Sequence, residues 1–183
     1  DRLYLLNWLK SICPYLEEGW HFSIMFYGGK LASHLTTDED TSDLIELLPI
    51  NRFPAIVMDS DKKAKGQHVN KTKQRLSIEF ERADGFAWIT NGREIENYIP
   101  KDVRTKVVTQ IAGGAVNLAN DDQYGHPLAY TKGQDEVVPD KLECAKAACK
   151  TALDLNVFDL KSQLSKLAQF ICQANRIEYT PTL

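Results

Sequence analysis

Short, continuously apolar segments that alternate with amphipathic helical ones constrain this chain more than any other feature. The predicted strands FPAIVMDSDK at 53–62 and GFAWITNG at 85–92 each begin with an apolar run that contains no alternation of polar residues, and each ends in polar residues. Strands of this kind are buried on both faces, as in a parallel sheet that helices cover on both sides. HFSIMFYGG at 21–29 is a third such segment. We therefore predict an α/β fold with a mostly parallel sheet, helices on both faces and a helical C-terminal region.

Composition narrows the class of protein. With a net charge of −3 and 43% hydrophobic residues, the 183-residue chain is too apolar for a disordered protein and too acidic for a uniformly basic nucleic-acid binder. No apolar run approaches the roughly 18–20 residues that a membrane span needs, so we expect no membrane partner. The four cysteines form no C-x-x-C pair, which favours reduced thiols and a cytoplasmic protein.

The periodicity changes along the chain and predicts three regions. Residues 1–100 should form the α/β core, with helices at 1–13 and 69–83. Residues 101–139 begin helically and then turn rich in Gly, Asn and Asp, which predicts an irregular, loop-rich connection. Residues 140–183 should form C-terminal helices packed on the core. The apolar stripe expected in the helix at 69–83 comprises Leu76, Ile78 and Phe80. The remaining helices are expected at 30–35, 44–50, 93–99, 140–150 and 159–175.

Four carboxylates follow two of the predicted strands. Asp59 and Asp61 stand two apart after the first, and Glu94 and Glu96 follow the second after an Asn-Gly turn. The carboxyl ends of parallel strands meet at one edge of the sheet, so these side chains should converge there. Oxygen ligands at this spacing suit Mg²⁺ or Mn²⁺. The same residues could instead make turns, cap helices or pair with neighbouring Arg or Lys.

A basic segment, 62–75, comes directly after the two aspartates and contains no acidic residue. Beside a carboxylate cluster, it favours a phosphate-rich substrate such as DNA. The alternative is a solvated helix face, which is the commoner meaning of a run of charges. The candidate nucleic-acid-binding residues are Lys62, Lys63, Lys65, Lys71, Lys73 and Arg75.

The residues around these carboxylates resemble a known family. IVMDSDK at 56–62, together with WITNGREIENYI at 88–99, resembles the Toprim domain of the OLD-family (overcoming lysogenization defect) ATP-dependent nucleases. HFSIMFYGGKLASHL at 21–35 resembles that family's second strand and helix. DRLYLLNWLK at 1–10 resembles the helix after its E-G-x-S-D motif. The resemblance covers residues 1–100 well and the rest loosely.

The resemblance implies a Toprim-like (Rossmann-like) fold and a metal-dependent DNA endonuclease with two Mg²⁺ or Mn²⁺ ions. By position, the metal ligands would be Asp1 from E-G-x-S-D, the D-x-D pair Asp59 and Asp61, and the later acidic residues Glu94 and Glu96. Lys141, in DKLECAKA at 140–147, would be the catalytic lysine and would act with Asp59.

The resemblance further implies that a first strand with its glutamate would lie before Asp1, and that an ATPase domain, which would bind ATP, belongs to the same parent chain. We therefore expect a fragment that does not cleave DNA alone, with DNA, that ATPase domain and a second copy of the parent as partners. Two other classes stay open. One is a non-catalytic DNA-binding or assembly module. The other is a D-x-D phosphatase of the haloacid-dehalogenase type, which Lys62 and Lys63 after the motif disfavour.

Overall fold

The structure, a computed structural model, describes residues 1–25, 48, 51–119, 122–151 and 154–182. Residues 26–29 of the strand expected at 21–29 lie outside these ranges, as do all of the helix expected at 30–35 and all but residue 48 of the helix expected at 44–50. Of the described part of 21–29, Phe22 forms a single parallel bridge with Glu18.

The described residues form five α-helices, four short strands and a 3-10 helix at Ile95–Tyr98. No helix among them is both long and apolar enough to span a membrane. The helices are α1 (Arg2–Ile12), α2 (Lys71–Arg82), α3 (Lys101–Ala112), α4 (Lys141–Ala148) and α5 (Leu160–Asn175). The strands are β1 (Ala55–Met58), β2 (Phe86–Ile89), β3 (Tyr130–Lys132) and β4 (Asp135–Val137).

A β-α-β unit made of β1, α2 and β2 confirms the predicted parallel pairing. Ala55 lies opposite Phe86 and Met58 opposite Ile89, so the two strands end at the same edge. Asn70 accepts a hydrogen bond from Lys73 N and caps α2. The fold of the described residues is therefore mixed α/β, with one parallel pair of strands and one antiparallel hairpin, β3–β4.

The parallel strands are covered on both faces, as continuous apolar strands require. Ile56, Met58 and Ala87 pack on one face against Leu76 and Phe80 of α2. The side chains that alternate with these belong to the main core, which also contains α1 and α5; they are Val57, Phe86 and Trp88.

An aromatic cluster joins α1 to the 3-10 helix beneath the sheet edge. Tyr4 stacks on Trp8 with ring centroids 5.6 Å apart, and Tyr98 contacts Trp8 edge-on at 6.2 Å and Trp88 at 5.7 Å. The Tyr98 hydroxyl donates to Asp159 Oδ1 at 2.6 Å and accepts from the Asn91 amide at 2.9 Å. The 3-10 helix, which contains Glu96, is thus packed on the main core.

Region 101–139 begins with the helix α3, as expected, and Val103, Val107 and Val108 place its apolar stripe against the core. Two details differ from the expectations. The loop-rich remainder of that region contains the β3–β4 hairpin. In α2, Leu76 and Phe80 are buried one turn apart, whereas Ile78 is 47% exposed. A residue two positions from each of them lies on the far side of a helix.

Candidate functional site

Asp59 is the first residue after β1 and is held at the edge by the chain that follows β2. Its Oδ1 accepts a hydrogen bond from Ile95 N–H at 2.7 Å. The next residue, Ser60, is buried; its amide donates to Thr90 Oγ1 at 2.9 Å and its hydroxyl to the Gly92 carbonyl at 2.6 Å. These bonds tie the two strand ends together, so the position of Asp59 is set by the sheet rather than by a free loop.

Glu94 and Glu96 flank the start of the 3-10 helix and are both buried, at 8% and 3% exposed. The Asn97 side chain accepts from the Glu94 amide at 2.8 Å and fixes this turn. Gly92 allows the tight approach, because a Cβ there would lie 2.5 Å from Asn97 Cβ. The turn therefore presents both glutamates beside Asp59, as their electrostatic coupling to it indicates.

Lys141 reaches the same site from the first turn of α4. Its Nζ donates to Glu94 Oε2 at 2.8 Å and lies 3.7 Å from Glu96 Oε1. Asp140 caps α4 by accepting from Glu143 N–H at 2.9 Å, which places Lys141 at the helix start. The lysine that the family resemblance nominates is thus brought to the two glutamates from 45 or more positions along the chain.

The electrostatics of the site are those of crowded carboxylates. Burial, together with the charges of Glu96 and Glu94, raises the pKa of Asp59 to about 7, although the Ile95 amide and Lys141 oppose the rise. Partial burial lowers the pKa of Lys141, but the three carboxylates outweigh it and the net pKa is raised. The site therefore contains more negative charge than its lysine offsets.

Glu94 and Glu96 differ in how their oxygens are used. Glu94 Oε1 lies 3.0 Å from His126 Nδ1 and its Oε2 accepts from Lys141 Nζ at 2.8 Å, so both oxygens have a close partner. Glu96 Oε2 is buried and has no hydrogen-bond partner among the described residues. No motif or ligand spacing in the sequence points to His126. A buried oxygen that lacks a partner is costly, and a cation or a water would satisfy it.

The other predicted metal ligands lie apart from Asp59 and the glutamates. Asp61 has a left-handed backbone (φ 54°) and is 62% exposed in its side chain, where it pairs with Lys73. The Lys73 ammonium also donates to the Asp59 carbonyl at 2.6 Å, which fastens α2 to the end of β1. Asp1 precedes α1, and its carboxylate makes no hydrogen bond or ion pair with the described residues.

The basic segment divides into a loop and the start of α2. Lys63 and Lys65 are exposed and Lys62 is partly so in the loop, while Lys71 and Arg75 are exposed on the helix. The first turn of α2 contains no acidic residue, so its positive end is uncompensated there. Lys73 is engaged by Asp61 and by the Asp59 carbonyl.

A hard divalent cation such as Mg²⁺ takes oxygen ligands. Within the described residues, no three His, Cys, Asp or Glu side chains form a ready-made cluster. Asp59 and Glu96 nevertheless supply carboxylate oxygens, one of them unpartnered, and such oxygens are the ligands that Mg²⁺ and Mn²⁺ take. Mg²⁺ commonly keeps several waters and binds through one or two carboxylates, so these two fit a single cation, not a complete two-metal cage.

The chain matches no family model, no curated protein and no solved structure. Its chemistry therefore has to be argued from this site alone.

Proposed function

We propose that this chain provides the phosphodiester-cleaving site of a Toprim-like, metal-dependent DNA endonuclease related to the OLD family. The observation that carries the proposal is the meeting of Asp59, Glu96 and Lys141 at the carboxyl edge of β1 and β2. Open α/β sheets bind their ligands at this edge. The family resemblance assigns these same three residues to the metal and catalytic positions.

Asp59 and Glu96 would hold one Mg²⁺ or Mn²⁺ ion, because Glu94 is already engaged by Lys141 and His126. Such an ion supplies Lewis-acid stabilisation of a phosphoryl oxygen and a bound water that ionises near neutral pH. The Ile95 amide orients Asp59 by donating to its Oδ1. Lys141 would stabilise negative charge that develops on the phosphate.

A complete site would need more ligands than this part of the chain brings together. In the parent protein an upstream strand would supply a glutamate and a separate domain would bind ATP, and Asp1 would complete the ligand set together with Asp61 once Asp61 exchanges Lys73 for the metal. The exposed lysines of the basic segment would position the DNA backbone without reading its sequence. Residues 1–183 alone are expected to bind DNA without cleaving it.

Manganese binding to this chain tests the proposal directly. We expect one Mn²⁺ per chain in electron paramagnetic resonance titrations, and a loss of affinity of about 10-fold or more in Asp59→Asn and in Glu96→Gln. Matched controls are Asp102→Asn on α3 and Glu136→Gln on β4, whose side chains are exposed and remote from the site. Both controls should bind Mn²⁺ as the unmodified chain does.

Cleavage supplies the second half of the test. Supercoiled plasmid with Mg²⁺ or Mn²⁺ should be nicked by a longer chain that supplies the upstream glutamate, and Asp59→Ala in that chain should abolish the activity. Mn²⁺ affinity that is equal in Asp59→Asn, Glu96→Gln and the controls would refute the metal site. DNA binding without such a site would favour the non-catalytic DNA-binding module.

A further inference from the structure

Glu94 lies at the centre of three nitrogen-bearing side chains. Lys141 Nζ is 2.8 Å from its Oε2, and His126 Nδ1 is 3.0 Å from its Oε1. Arg93 Nε is 3.9 Å from the same Oε1, and Arg93 Nη2 is 2.8 Å from His126 Nε2. The four side chains therefore form one connected array beside Asp59 and Glu96.

The hydrogen bond from Arg93 determines which nitrogen of His126 carries the proton. A guanidinium can only donate, so His126 Nε2 must accept from Arg93, which leaves the proton of a neutral ring on His126 Nδ1, 3.0 Å from Glu94 Oε1. Nothing among the described residues accepts from Arg93 Nη1, which leaves that donor for a ligand. Lys141 likewise has ammonium protons beyond the one that it gives to Glu94.

The Glu94 carboxylate is more buried than the three side chains around it. The Glu94 side chain is 10% exposed, whereas those of Arg93, His126 and Lys141 are 19%, 36% and 47% exposed. The carboxylate thus lies at the base of the array and the donors at its rim. The rim is rigid at Arg93, because its amide donates to the Gln123 carbonyl at 3.0 Å and its carbonyl accepts from Asp61 N–H at 2.9 Å.

Charge indicates what the rim would bind. Arg93 and Lys141 carry two positive charges against the single negative charge of Glu94. A divalent cation on Asp59 and Glu96 would neutralise those two carboxylates, so the whole site would keep one excess positive charge. That charge matches one phosphodiester, and guanidinium and ammonium groups are the usual partners of phosphate oxygens.

We propose that Arg93, His126 and Lys141, held in place by Glu94, form a clamp for the phosphoryl oxygens of a nucleic-acid phosphodiester. The inference rests on the proposed function, since it assigns the clamp to the phosphate beside the Asp59–Glu96 site. In this arrangement Glu94 is a positioning residue that organises the clamp, and it is not a metal ligand.

Binding of inorganic phosphate in the presence of saturating Mg²⁺, which offsets the charges of Asp59 and Glu96, tests the clamp, with the Arg93 Nε–H resonance in NMR titrations as the readout. Arg93→Gln and Lys141→Gln should each weaken phosphate binding by about 10-fold, the value of a charge-assisted hydrogen bond. The matched controls are Arg82→Gln on α2 and Lys146→Gln on the same helix as Lys141, and both should bind phosphate as the unmodified chain does. Both retain Arg93, so its resonance reports their phosphate binding. Arg93→Gln lacks the NMR probe, so its phosphate affinity is measured by calorimetry. If Arg93→Gln does not fold, Arg93→Lys replaces it, with an intermediate loss of phosphate affinity expected.

Glu94→Gln tests whether Glu94 positions the three donor side chains or acts only through its negative charge. Removal of a negative charge should strengthen anion binding if charge alone matters, whereas loss of the central acceptor should weaken it if Glu94 positions the clamp. We expect weaker phosphate binding together with Mn²⁺ affinity within about 3-fold of the unmodified chain, since a lost ligand would cost more. A loss of Mn²⁺ affinity as large as that of Glu96→Gln would make Glu94 a ligand and overturn the assignment.

A short DNA duplex identifies the source of the phosphate. The duplex should displace inorganic phosphate from the unmodified chain; simultaneous binding of both would overturn the assignment to nucleic acid. Unchanged phosphate binding in Arg93→Gln and Lys141→Gln would overturn the clamp. Mn²⁺ binding is measured separately, so the two proposals can fail independently. Phosphate binding without Mn²⁺ binding would contradict only the proposed nuclease. Mn²⁺ binding without phosphate binding would contradict only the clamp.

Discussion

At the scale of single residues, the site destabilises the fold that contains it. Asp59 is brought next to two glutamates, and Glu96 Oε2 and the Tyr4 hydroxyl are both buried without a partner. Buried polar groups are normally hydrogen-bonded, so exceptions call for a functional reason or an internal water. Both exceptions here lie close to each other, since the charge of Glu96 contributes to the raised pKa of Tyr4.

Asp59→Asn should make the protein more stable at alkaline pH. The pKa of Asp59 rises from its ordinary 3.8 to about 7 in the folded chain, mainly through burial, so folding favours the protonated form. The stability that Asp59 contributes is thus full below pH 4 and is lost as the pH rises through about 7. At pH 8 the variant should gain roughly 1–4 kcal/mol, at about 1.4 kcal/mol per pKa unit, and much less at pH 5.

Urea unfolding at pH 5, 6.5 and 8 measures this gain. Asp102→Asn, a change at an exposed carboxylate, serves as the control and should show little difference at any pH. A variant less stable than the unmodified chain at pH 8 would contradict the assigned direction of the pKa shift.

Two almost fully buried tyrosines should respond oppositely to loss of the hydroxyl. Tyr4 has no partner for its hydroxyl, so Tyr4→Phe should leave stability unchanged or raise it by about 1 kcal/mol. Tyr98 bonds to Trp88 Nε1, Asn91 N and Asp159 Oδ1, so Tyr98→Phe should cost about 2 kcal/mol. Chemical denaturation of both variants measures the difference. A clear loss in Tyr4→Phe would reveal a partner, such as a water shared with Glu96.

At the scale of elements, the β1–α2–β2 unit depends on a close approach at its second turn. Gly85 follows α2, and its amide donates to the Phe80 carbonyl at 2.9 Å as the chain enters β2. The Phe86 amide then donates to the Pro54 carbonyl at 2.9 Å, which starts the parallel pairing. The turn therefore sets the register that brings Asp59 and Thr90 to one edge.

Gly85→Ala should weaken this unit. A Cβ at residue 85 would lie 2.5 Å from the Pro54 carbonyl oxygen and 2.9 Å from that of Phe80, both of them backbone atoms with little freedom to move. We expect a loss of about 1–3 kcal/mol in urea unfolding. Gly114→Ala is the control, because a Cβ there would meet nothing within 4 Å, and it should be close to neutral. Equal stabilities of the two variants would show that the turn can relax.

At the scale of the whole molecule, charge is unevenly distributed. The chain has a net charge of −3, yet residues 62–75 contain six basic residues and no acidic one. Polyanion binding by an acidic protein has to rely on such a local concentration of positive charge. Lys73 is committed to Asp61 and Asp59, so the exposed lysines of the loop are the more available ones.

Reversal of the loop charges should abolish most nonspecific DNA binding. Lys62→Glu, Lys63→Glu and Lys65→Glu together should lower the slope of log K against log salt by roughly 2–3, about 0.9 for each lost phosphate contact. Fluorescence anisotropy with two unrelated duplexes measures the slope. A second triple variant, with Glu at Lys150, Lys161 and Lys166, changes the net charge equally and should keep the slope. Equal slopes in both variants would indicate that the basic segment is a solvated surface that does not bind DNA.

The sequence by itself determined the local elements of the described core. Continuous apolar runs predicted β1 and β2, and the apolar residues Leu76 and Phe80 predicted α2, although Ile78, assigned to the same stripe, is exposed. The mixed α/β class and the parallel pairing of the two strands were also predicted, because burial on both faces has a local signature. The positions of Asp59, Glu94 and Glu96 at one edge followed from the same topology.

Only the tertiary structure decided which of these side chains meet. Asp61 is one residue beyond Ser60, yet it has a left-handed backbone and an exposed carboxylate that pairs with Lys73. The meeting of Glu94 with His126 and with Lys141 joins segments 32 and 47 residues apart along the chain. No local periodicity encodes such contacts, since they depend on how α4 and the loop containing His126 dock on the sheet edge. The division of roles between Glu94 and Glu96 has the same origin, because it depends on which carboxylate oxygens packing leaves without a partner.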